Sequence, residues 1–106
     1  MAHAAVDHLN QFGADCQRKG CRVFFSHSPY ERRYFERYRE SILLLEDLLK
    51  KRLTIPMLDT AEELTFSSEE IFDLEYHLNL TGKLRRSEMV AERLARVLET
   101  TPTFQR

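Results

Sequence analysis

A chain of 106 residues with three glycines and three prolines is one small domain or a piece of a larger one, and its composition argues against a disordered or turn-rich all-β protein. A formal net charge of −1 gives no electrostatic case for nucleic acid or acidic lipid. No run reaches the roughly 18 apolar residues of a membrane span, and Met1 to Ala5 lacks the regions of a signal peptide, so Met1 as a natural start implies the cytoplasm.

Val6, Leu9, Phe12 and Cys16 recur at helical spacing and predict a helix from Ala2 to Arg18 in which Gly13 is a weak spot. Gly20 supplies its left-handed cap. Cys21 to Ser26 then reads as a short buried strand, with Cys21 buried at its start. Cys16 and Cys21 read as free thiols, because a Cys-x4-Cys pair standing alone suits neither zinc nor a disulfide framework.

Ser28-Pro29-Tyr30-Glu31 has the form of a helix start, with Ser28 as cap, Pro29 first in the helix and Glu31 closing a capping box. Apolar positions from Tyr34 to Leu49 carry this helix to about Lys51, a length of about 33 Å at the standard rise. Leu53 to Asp59 is the second strand candidate, and Pro56 marks it as an edge strand. Strand, helix and strand in this order form a βαβ unit, for which a right-handed crossover is expected. The alternative is an all-α bundle with both short strands as loops.

Thr60 to Glu63 is placed to cap a helical turn. Ser67 and Glu70 form a second capping box, with Phe66 and Ile71 as its hydrophobic staple. Gly82 permits a turn. Val90, Leu94, Val97 and Leu98 mark a final amphipathic helix from Lys83 to Glu99, stopped by Pro102. Thr54 to Gly82 holds seven acidic residues and no Lys or Arg, so this stretch is a solvated acidic loop, a partner surface or a cation site.

The stretch Phe72-Asp73-Leu74-Glu75-Tyr76-His77-Leu78-Asn79-Leu80-Thr81-Gly82 resembles the closing catalytic block of an SGNH (GDSL-type) hydrolase. Gly20 to Pro29 is similar to that family's penultimate strand and Ile55 to Asp59 to its last one, so the resemblance runs from about Gly20 to Leu98. It implies a partial flavodoxin-like three-layer α/β fold, α-β-α-β-α with a short parallel sheet, for residues 1–106 as a single domain. It further implies His77 as general base, Asp73 as its orienting acid, Glu75 as a less favoured substitute, and Asn79 as a loop-shaping residue. The family spacing is Asp-x-x-His, whereas here one more residue separates Asp73 from His77.

The activity implied is ester hydrolysis or O-acyl transfer without cofactor or metal, on an acyl-ester substrate, in branches that modify cell-surface polysaccharide. A truncated chain of this kind implies an extracytoplasmic location. The sequence holds no Gly-Asp-Ser nucleophile block, and Ser26, Ser28, Ser67 and Ser68 are explained as strand-end or capping residues. The chain alone is therefore expected to be inactive, its site completed by a missing N-terminal segment. The competing reading is a non-catalytic interaction or remnant domain that oligomerises through its sheet edge, because two strands leave a parallel sheet thin and open. A divalent-ion site at Glu69, Asp73 and His77 requires that stretch to be one continuous helix.

Overall fold

The computed structural model describes residues 2–73 and 77–100. Helix α1 spans Ala2–Arg18 and closes as expected. Gly20 has φ of +84°, and the Cys21 N–H reaches back to the Cys16 carbonyl at 2.9 Å while the Gly20 N–H donates to Gln17 at 3.0 Å, the paired closure of a left-handed cap. Gly13 sits where α1 crosses the second extended segment, and a Cβ there would lie 2.8 Å from Ile55 Cγ1.

The two predicted strands do run parallel, but they pair at one position only, Phe25 with Met57. The Phe25 N–H donates to Pro56 O and the Leu58 N–H to Phe25 O, each at 2.8 Å. Extending the ladder back to Val23 requires the N–H that Pro56 lacks, so pairing stops there. Cys21 is exposed rather than buried, and both thiols are free.

Downstream of this bridge lies a regular strand pair, where the sequence predicts a helix start at Ser28 to Glu31 and a staple residue at Phe66. Strand β1, Tyr30–Glu31, pairs in parallel with β2, Thr65–Phe66. Tyr30 and Glu31 are thus extended, and Glu31 is the N-cap: its carboxylate accepts the Tyr34 N–H at 3.0 Å. Ser28, expected as the cap, is exposed. The predicted long helix is two pieces, α2 Arg32–Arg37 and α3 Arg39–Arg52, hinged at Tyr38 with φ −110° and ψ 25°. The i to i−4 bonds persist across the hinge, Tyr38 to Tyr34 at 3.1 Å and Ile42 to Tyr38 at 3.0 Å, so it is a kink. Asn10 of α1 fastens the far end, donating to Arg52 O at 2.9 Å and accepting from Thr54 N at 2.8 Å.

Both later turns have the predicted caps. Glu63 Oε1 accepts from Thr60 N at 2.8 Å ahead of the turn Glu62–Leu64, and the Ser67–Glu70 box opens the turn Ser68–Glu70. Helix α4 spans Leu80–Thr100 and so takes in Gly82, for which the sequence predicts a turn. Its N-cap is Asn79, whose Oδ1 accepts the Gly82 N–H at 3.0 Å.

The apolar core joins Leu64, Phe66 and Leu78, with Ile71 and Met89 packed against them. Phe66 is fully buried, and the Arg85 guanidinium of α4 stacks 4.1 Å from its ring centre. Among the described residues, parallel pairing at two places and four α-helices give a mixed α/β character. Among the described residues no helix is long and apolar enough to cross a membrane.

Candidate functional site

Two histidine–carboxylate pairs stand out, one on the loop ahead of α4 and one at the C-terminal ends of the bridged extended segments. The first pair is on the loop ahead of α4. Asp73 Oδ1 lies 2.9 Å from His77 Nδ1, and both side chains are about half exposed, 54% and 50%. The residues on either side are held together: the Phe72 N–H donates to His77 O at 2.7 Å, and Ile71 bridges antiparallel to Leu78. This closure removes the continuous helix that a Glu69–Asp73–His77 ion site needs.

Asn79 is structural in two ways. Its Nδ2 donates to Glu69 O at 2.7 Å and its main-chain N–H to Glu70 O at 2.9 Å, so it ties the loop to the cap of α4. Glu75 lies outside the described residues.

A carboxylate only accepts, so His77 Nδ1 is the donor in this pair. His77 lines a groove of about 860 Å³, with Pro29, Phe72 and Leu78 on one side and the Lys83–Leu94 face of α4 on the other.

The second pair was not foreseen. His27 and Asp59 follow the two bridged segments and are both buried, 6% and 7% exposed. His27 Nδ1 lies 3.0 Å from Asp59 Oδ1, which also accepts the His27 N–H at 2.8 Å, and Ser26 Oγ donates to Asp59 Oδ2 at 2.6 Å. Burial alone would raise the Asp59 pKa, but the hydrogen bonds from the His27 ring, the His27 main chain and Ser26 outweigh it and hold the carboxyl below its ordinary value. Glu46 of α3 faces His27 Nε2 from 3.9 Å. Arg86 of α4 donates to His27 O at 3.0 Å and to Ser26 Oγ at 3.4 Å. This network clamps α3 and α4 onto the segment ends. The available signal was the matching position of His27 and Asp59, each just past an apolar run.

Three acids of the acidic stretch are neutralised by arginines from outside it. Glu62 pairs with Arg39, Glu63 with Arg93, and Glu70 with Arg85. The Arg85 bond, at 2.6 Å, is the chief cause of a lowered Glu70 pKa. Ser26 is committed to Asp59 and Ser67 to Glu70.

The chain matches no protein-family model, no curated protein and no solved structure.

Proposed function

We propose that this chain is the base-bearing part of an SGNH-type ester hydrolase or O-acyltransferase, within a flavodoxin-like sheet extended by strands from outside residues 1–106. The observation that carries the reading is the Asp73–His77 pair at 2.9 Å, half-exposed, with His77 lining a groove beside α4. In such a site a serine hydroxyl attacks the acyl carbonyl while His77 Nε2 takes its proton. The imidazolium formed is stabilised by Asp73, and it returns the proton to the leaving alkoxide. The nucleophile and oxyanion donors come from another segment or subunit, so residues 1–106 by themselves are inactive.

The test is hydrolysis of p-nitrophenyl acyl esters by the protein isolated from its source cells, with and without His77→Gln. The reading expects activity that falls by at least a hundredfold in the variant. Equal activity in both, or none in either, overturns it.

A non-catalytic interaction domain is the second reading, favoured by the exposed Leu80, Leu84 and Leu98 of α4. Light scattering that shows a stable homodimer with no associated esterase activity supports it over the first.

A further inference from the structure

The arginines of α4 fall into two groups. Arg85, Arg93 and Arg96 are each ion-paired, to Glu70, Glu63 and Glu92. Arg86 is not: its bonds go to the uncharged oxygens of His27 and Ser26, and its buried Nε has no hydrogen-bond partner among the described residues. Lys83 likewise has no ion pair among the described residues. Both line the groove beside His77, and no carboxylate is among its described lining residues. Two cations without an ion pair among the described residues thus sit at one end of a groove whose far end is apolar, with Asp59 behind Arg86 through Ser26 and Asp73 bonded to the neighbouring His77.

Lys83, Arg86, Ser87, Val90 and Leu94 recur at helical spacing, so charge gives way to Val90 and Leu94 along one face of α4. Phe72 and Leu78 face them from the loop, and Phe72 is 77% exposed, an apolar surface that water alone leaves unfavourably solvated.

We infer that this groove binds an anionic amphiphile, an alkyl chain of fatty-acyl type whose negative head lies at Lys83 and Arg86 and whose tail runs past Val90 to Leu94. The head is chosen by the cations and the tail by the apolar run. A polypeptide fits less well, because the α4 wall has its main-chain groups bonded within the helix and offers nothing to a peptide backbone. The inference deepens the acyl-transfer reading and rests on it for the role of the ligand as an acyl group, while binding itself requires no nucleophile.

The test is a methyl and amide nuclear magnetic resonance titration of the purified chain with sodium decanoate below its micelle concentration. Decyl phosphate, decyltrimethylammonium and octanoate are run in parallel. The inference expects saturable shifts at Leu78, Ser87, Val90 and Leu94 with decanoate and decyl phosphate, and binding at least tenfold weaker for the cationic amphiphile. Octanoate should bind more weakly, by up to about fourfold for each methylene lost. Lys83→Glu should weaken decanoate about fivefold or more, and Leu94→Asp should abolish saturation while distant amides such as Val6 stay unshifted.

Absent shifts, equal binding of both head charges, or groove shifts that track protein concentration without ligand would each overturn the inference, the last by assigning the groove to a second copy. Retention on phosphatidylglycerol vesicles without decanoate binding overturns it in favour of a membrane surface. Saturable decanoate binding together with absent esterase activity leaves the groove standing and removes the acyl-transfer reading. Esterase activity without decanoate binding does the reverse.

Discussion

Gly82→Ala sets two known effects against each other at the base of the candidate site. Alanine is favoured over glycine in a helix interior by about 1 kcal/mol, so on propensity alone the change strengthens the start of α4. The added Cβ, however, would lie 2.5 Å from the Glu70 carbonyl oxygen and 3.0 Å from Leu78 Cδ2. Glu70 O is main chain, and it accepts the Asn79 N–H at 2.9 Å, so the contact cannot be relieved by a side-chain rotation. Moving α4 off the Ser68–Glu70 turn weakens that bond, at about 1 kcal/mol, and strains the packing of Leu78 and Phe66 by about 1–3 kcal/mol. The net expectation is a loss of about 1–3 kcal/mol, a drop in melting temperature of roughly 5–20 °C for a chain of this size. Thermal unfolding by circular dichroism reads it, and amide shifts at Phe72 and His77 report whether these residues move with the helix. An unchanged or higher melting temperature refutes the close contact and the placement of α4.

Phe66→Ala should cost about 3–5 kcal/mol, much of the total for a typical domain, and leave α4 detached from β2; a urea midpoint near wild type contradicts this. The lowered pKa values of Asp59 and Glu70 fix the sign of the acid response. Their ionised forms are favoured in the fold, so their contribution is complete above the ordinary carboxylate range near pH 4 and is lost as pH falls through the folded values. Urea midpoints should therefore fall mainly below about pH 4, and less steeply in Asp59→Asn; stability that is flat or rising on acidification contradicts the network. Asp73→Ala should shift neutral His77 from the Nδ1–H tautomer toward the Nε2–H form in long-range 15N spectra, and an identical tautomer in both proteins denies Asp73 its orienting role.

Local signals were the most legible part of this chain. The Gly20 cap, the Ser67–Glu70 box and the first helix follow from side chains a few residues apart, and the structure has all three. What was misplaced depends on distant partners. Tyr30 and Glu31 are extended because Thr65 and Phe66 pair with them, and that pairing overrides a good local helix start at Ser28-Pro29. Gly82 reads as a turn residue until the helix that contains it is pressed against Glu70 O. The Asp73–His77 pair was legible because both residues share one short loop. The His27–Asp59 pair was not, since its members lie 32 residues apart and meet only once two extended segments run side by side.

The most direct test of the proposed site is to treat the protein isolated from its source cells with a fluorophosphonate and locate the adduct by mass spectrometry. The account predicts one modified serine in sequence outside residues 1–106, lost when His77 is changed to Gln. An adduct on Ser26, Ser28, Ser67 or Ser68, or labelling indifferent to His77, would contradict it.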